Sequence, residues 1–134
     1  MSIDFLLDTD TFIDIKNHRP PHVLERFSQL KPGTIGISVI TYGELIRGAE
    51  RSQYTEKNHA MLNRFIELIP VQAMPSEAGI HYGEIRTVLE KSGQVIGNND
   101  LWIAAHARAI DVVLVTNNSR EFCRVDALRV ENWT

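Results

Sequence analysis

The chain has 134 residues, 43% hydrophobic and 23% charged, a balance that suits a single globular domain over residues 1–134 and excludes a disordered tail or a fibrous array. Seventeen acidic against fourteen basic side chains give a formal charge of -3, which excludes a protein that grips nucleic acid by bulk positive charge. A lone cysteine, Cys123, allows neither an internal disulfide nor a thiolate zinc site. With a start that lacks the basic front and apolar run of a signal peptide, it sets the expectation of a cytoplasmic protein, and no window approaches the ~18 apolar residues of a membrane span.

Short apolar runs alternate with stretches at helical spacing, the pattern of an α/β fold with a parallel sheet and crossover helices. Phe5-Leu6-Leu7 reads as the first strand, ended by Asp8. A short helix over Phe12 to Ile15 follows and is terminated by Pro20 and Pro21. Val23, Phe27 and Leu30 mark a helical face, Lys31-Pro32-Gly33 a turn, Ile35 to Val39 the second strand, and Thr41 to Ala49 the next helix. Met61, Phe65, Leu68 and Ile69 line a longer helix before a brief strand at Val71 to Ala73. Ala78, Tyr82, Ile85 and Leu89 keep the 3.6 period of a helix opened by Pro75 and Ser76 and closed at Gly93. Gly97-Asn98-Asn99 reads as a loop, Leu101 to Ala109 as a helix, Val112 to Val115 as the clearest buried strand and Leu128 to Val130 as the last one.

In open α/β sheets the ligand crevice lies beyond the carboxyl ends of the strands. Asp8 ends the first strand, Glu44 falls in the first helical turn after the second, and Thr116-Asn117-Asn118 ends Val112 to Val115. Asp100 precedes the helix that feeds that strand, and its position alone leaves its place relative to the crevice open. Each has an ordinary structural reading: Asp8 as a strand-end cap, Glu44 as the partner of Thr41 in a capping box, Asp100 as an N-cap. Their joint presence is harder to explain that way, because each pair of carboxylates at 4 Å repels by about 4 kcal/mol at an effective dielectric near 20. Only a cation makes such a cluster economical, and all-oxygen donors select Mg²⁺ or Mn²⁺. The histidines at 18, 22, 59, 81 and 106 show no paired metal-binding spacing. His106, on the Asp100 helix, points to another face of it.

LLDTDTFID at Leu6 to Asp14, ISVITYGELIRGAE at Ile37 to Glu50, IGNNDLWIAAHARA at Ile96 to Ala109, and VLVTNNSREFCRV with the ending LRVENW resemble, in order and spacing along the whole chain, the PIN-domain ribonucleases, specifically the VapC-type toxins of bacterial toxin–antitoxin pairs. The resemblance implies a parallel sheet with helices on both faces. It assigns metal-holding roles to Asp8, Glu44 and Asp100. Where many relatives place a fourth acid after the last core strand this chain has Asn118, and Glu121, one helical turn on, is the expected substitute. Thr116 and Asn118 are expected to shape the site by hydrogen bonds. Asp10, where relatives commonly carry a small polar residue, either adds charge to the site or caps the short helix near Thr11, the cap being favoured.

The resemblance further implies Mg²⁺-dependent hydrolysis of a structured RNA, with transfer RNA and the initiator anticodon loop as the leading candidates, and Mn²⁺ as a possible substitute ion. It also implies translation inhibition relieved by a VapB-type antitoxin laid across the groove, and a homodimer. Lys16, Arg19, Arg47, Arg51 and Arg120 near the motif ends are available for phosphates. Without the five carboxylates proposed for the site region the remainder of the chain is net positive, so the acidity is local. Two other readings compete. Asp8-Thr9-Asp10-Thr11 matches the DxDxT of haloacid-dehalogenase-like phosphatases, although neither their lysine nor their later acidic pair is present at Thr116-Asn117-Asn118, and a receiver domain fails for the same lack of lysine. A PIN-like interaction module without metal is the non-enzymatic alternative.

Overall fold

Leu6 and Leu7 are neighbours in sequence yet belong to different cores, because successive side chains of a strand point to opposite faces of the sheet. A computed structural model describes residues 2–134. In chain order the elements are β1 (Phe5–Leu7), α1 (Thr9–Asn17), α2 (Pro21–Ser28), β2 (Ile35–Ser38), α3 (Val39–Arg51), α4 (Thr55–Leu68), β3 (Val71–Gln72), α5 (Glu77–Lys91), α6 (Asn98–Ala109), β4 (Val113–Val115), α7 (Ser119–Phe122) and β5 (Val130–Glu131). The strands form one five-stranded sheet in the order β3-β2-β1-β4-β5, and every pairing is parallel.

Register follows from burial on both faces. Leu6 stands opposite Gly36 and Leu114, Leu7 opposite Ile37 and Val115. Leu6 and Leu114 pack with Ile85, Leu89, Leu101, Ile103 and Phe122 on the face covered by α5, α6 and α7. Leu7, Ile37 and Val115 pack with Phe12, Ile15, Val23, Leu62 and Trp133 on the other. Gly36 is required by a close approach: a Cβ there would lie 2.9 Å from the Pro70 carbonyl oxygen.

Several boundaries depart from the sequence reading for local reasons. The first helix ends at Asn17, before the proline pair, because His18 closes it in the left-handed conformation with φ 58° and its N–H bonds back to Asp14 and Ile15. Pro21 then opens α2 at N1, where its missing N–H costs nothing. Asn98 and Asn99, expected in a loop, form the first turn of α6, whose N-cap is Gly97. The strand before α3 stops at Ser38, so Val39 belongs to the helix. Among the described residues no helix is long and apolar enough to cross a membrane.

Candidate functional site

The chain runs from β1 through β2 to β3 toward one edge of the sheet and returns to place β4 on the other side of β1. A reversal of this kind opens a crevice at the carboxyl ends of the two strands that flank it, here β1 and β4. Asp8 and Thr116 are the residues that immediately follow them.

Asp8 is 5% exposed and both its carboxylate oxygens are engaged. Oδ1 accepts from the Thr11 N–H at 2.9 Å, which makes Asp8 the N-cap of α1. Oδ2 accepts from the Thr116 hydroxyl at 2.5 Å. Burial raises the Asp8 pKa above the ordinary carboxyl value, opposed by the hydrogen bonds from Thr116 and Thr11. The Asn118 N–H in turn donates to Thr116 Oγ1 at 2.9 Å, so Thr116 links the ends of β1 and β4 to the loop that leads into α7. The cap expected of Asp10 is thus corrected: Asp8 caps α1, and Asp10 sits exposed in its first turn.

Glu44 does not close a capping box with Thr41. The N-cap of α3 is Ser38, whose Oγ accepts from the Ile40 N–H, and Glu44 Oε1 instead accepts from the Thr9 hydroxyl at 2.6 Å, with the buried Thr41 hydroxyl 3.3 Å from Thr9. Thr9 is therefore a site residue that sequence reasoning missed. Its only signal was adjacency to Asp8, since the contact to Glu44 spans 35 positions.

Asp100 is not an N-cap either; it lies in the first turn of α6, which Gly97 caps. A helix that feeds a parallel strand runs back across the sheet, so it begins at the carboxyl edge. Topology thus answers what position left open. Asp100 is pushed up to about 6, first by burial, then by the charges of Glu121, Asp8, Glu44 and Asp10. Glu121 heads that series of charges. It is held there by α7, too short to be stable alone but anchored by Phe122, 1% exposed, whose burial contributes about 2 to 3 kcal/mol. Asn118 is the N-cap position of α7 and makes no side-chain cap bond.

Around this centre, a cleft of about 510 Å³ is lined by Thr9, Val39, Ile40, Gly43, Glu44, Arg47 and Asn99. A second of about 220 Å³, lined in part by Lys16 and Leu45, also reaches Thr9 and Glu44. Arg47 and Arg120 are exposed, while Arg19 and Arg51 line neither cleft. Among the described residues no three acidic, histidine or cysteine side chains close into a preformed cage. The donor set nonetheless suits a hard divalent cation: it is all carboxylate, it comes from four separate segments of the chain, and burial together with the neighbouring acids holds a proton on Asp100 well above the usual range.

An all-parallel α/β sheet with an acidic crevice at its switch point defines the class of protein. The family description that matches, over residues 5–128, is the PIN domain. The chain is 43% identical over 131 residues to Ribonuclease VapC2 of Haemophilus influenzae, covering 98% of each. It is 42% identical over 132 residues to the tRNA(fMet)-specific endonuclease VapC of Shigella flexneri, covering 98% of this chain and 99% of that one. The crystal structure of VapBC2 from Rickettsia felis bound to a DNA fragment from their promoter superposes with a TM-score of 0.91 at 38% identity, covering 100% of both chains. The chain belongs to the PIN-domain family, and within it to the VapC type.

Proposed function

We propose that this protein is a Mg²⁺-dependent endoribonuclease, the toxin of a toxin–antitoxin pair, which cuts a structured RNA and so inhibits translation until a VapB-type antitoxin covers its crevice. The observation that carries this reading is the gathering of Asp8, Glu44, Asp100 and Glu121 at the β1/β4 switch point, close enough for the charges of the other three to act on Asp100. Asp8, Glu44 and Asp100 would hold the ion, with Mn²⁺ as a substitute, and Glu121 would act through a water or a second ion. A divalent cation bound there supplies positive charge to the scissile phosphate and acidity to an attacking water.

The remaining roles belong to the chain itself. Thr116 holds one oxygen of Asp8, and the Thr11 N–H holds the other. Thr9 restrains Glu44. Asn118, tied through its N–H to Thr116, orders the approach to Glu121. Arg47 beside Glu44 and Arg120 beside Glu121 offer cations to flanking phosphates. Because charge and a positioned water suffice, no nucleophilic serine, cysteine or histidine is needed.

The naming of the Shigella flexneri relative supports transfer RNA, and the initiator anticodon loop in particular, as substrate, in keeping with the preference of proteins for unpaired, splayed bases. The Rickettsia felis complex supports a VapB-type partner, and a cytoplasmic homodimer completes the proposal. The phosphatase alternative lacks the lysine and later acidic pair it needs, because Thr116-Asn117-Asn118 follow β4. Purified protein incubated with initiator transfer RNA should cut it with Mg²⁺ and not with EDTA, and Asp100→Asn should abolish the cut. No cleavage, together with no Mg²⁺-linked rise in melting temperature, would leave the metal-free interaction module as the reading.

A further inference from the structure

Helix α6 is buried round most of its circumference, with Ile103, Ala104, Ala105 and Ala107 all buried. His106 interrupts that apolar run. Its imidazole is 0% exposed, and Nδ1 lies 2.8 Å from the Oγ of Ser38, itself 0% exposed. Ser38 Oγ also accepts from the Ile40 N–H, and its own hydroxyl proton can be donated to Nδ1, while the other ring nitrogen, Nε2, is buried without a hydrogen-bond partner.

Such a pair is an expensive way to fill space. A buried polar atom without a partner costs about 1 to 3 kcal/mol, whereas an apolar side chain of similar size would cost none of it. What a buried hydrogen bond adds is register: apolar helix faces tolerate small slides and a directed bond does not. The bond joins the head of α3, which carries Glu44, to α6, which carries Asp100. Ser38 stands six residues before Glu44 on or at the head of α3, and His106 six residues after Asp100 on α6. Each arm is about 9 Å of helix, so a slide at the bond is delivered to the carboxylates with little loss.

Resting on the metal-site reading above, we propose that His106 is a positioning residue that, through Ser38, sets the offset between Asp100 and Glu44 and thereby the affinity of the crevice for its cation. The polar pins continue along α3 in the same sense: Thr41 and Glu44 both meet Thr9, at 3.3 and 2.6 Å, so α3 is held at its head and again at the site. Partners that hydrogen-bond a metal ligand directly change metal affinity by about 10- to 100-fold when removed, and a pin acting through the helix backbone is expected at the lower end of that range.

The test compares His106→Leu, which removes the bond at near-constant volume, with His106→Asn, whose amide can keep it. Mg²⁺ binding is read by titration calorimetry and by the Mg²⁺-linked rise in melting temperature, and RNA cleavage gives KM and kcat at saturating Mg²⁺. The Leu variant should need about tenfold more Mg²⁺ for half-saturation with KM for RNA unchanged, while the Asn variant stays within about threefold of the parent. A folded Leu variant with parental Mg²⁺ affinity, or an Asn variant as impaired as Leu, would overturn the inference. If His106→Leu does not fold, Ser38→Ala should show the same loss and Ser38→Thr restore it, and parental affinity in Ser38→Ala counts equally against it. A parent protein that neither binds Mg²⁺ nor cuts RNA overturns the metal-site reading and this one with it, whereas a competent parent with indifferent variants overturns this one alone.

Discussion

Replacing Asp100 with asparagine should make the metal-free protein more stable at neutral pH while it destroys the site. Burial, and after it the neighbouring acids, raise this carboxyl from its ordinary 3.8 to about 6, so the folded state disfavours the ionised form. The folded protein then binds more protons than the unfolded chain between those values, and stability falls as pH rises from about 4 through about 6. Taken in full the shift is worth about 3 kcal/mol, but Asp100 is only half buried and solvent screening reduces this to about 1 kcal/mol. For a domain of this size that is a rise of about 4 °C in melting temperature. Calorimetric scans in EDTA should show the parent and Asp100→Asn melting together near pH 4 and separating in favour of the variant by pH 7. With Mg²⁺ added at pH 7 the order should invert, because only the parent has the full donor set. A variant that melts at or below the parent in EDTA at pH 7, or a gap that ignores pH, would refute the electrostatic account of the crevice.

Other consequences can be measured independently. Thr116→Val leaves Asp8 buried with one oxygen unpaired, and urea titration should show a loss of about 2 kcal/mol. Thr9→Val frees Glu44 from its 2.6 Å bond without opening the core, so RNA cleavage should fall about tenfold while the melting temperature stays within a degree or two, the magnitude of a near-neutral substitution. Gly36→Ala puts a Cβ 2.9 Å from the Pro70 carbonyl, and the resulting separation of β2 from the segment before β3 should lower the urea midpoint by the equivalent of about 1 to 3 kcal/mol.

The fold was legible because fully buried strands leave so distinct a trace. Phe5-Leu6-Leu7 and Val113-Leu114-Val115 are too short and too apolar to be anything but central strands, and the polar residues that follow them, Asp8 and Thr116-Asn117-Asn118, marked the crevice. Glu121 was reachable from the helical offset to Asn118, and α7 realises that offset. The capping assignments were less legible. The apolar run ISVI hides the point where β2 becomes α3, so Thr41 and Glu44 looked like a helix start when Ser38 already provided one. Asp10 and Asp100 looked like caps because a single acid before a helix carries the same signature wherever the first turn begins. Contacts between distant segments had no local trace: Thr9 with Glu44 across 35 positions, and His106 with Ser38 across 68.

The central place of β1 also governs when the site can exist during synthesis. Asp8 is made early, but the hydroxyl that orients it lies 108 positions downstream on the far side of the strand order. At ribosomal rates of about 5 to 20 residues per second, roughly 5 to 20 s separate the two. Until β4 has docked beside β1, Asp8 lacks Thr116 and α6 has no strand to anchor its return. A chain synthesised only as far as α6 therefore carries the first carboxylate without the crevice, which forms once β4 has paired with β1.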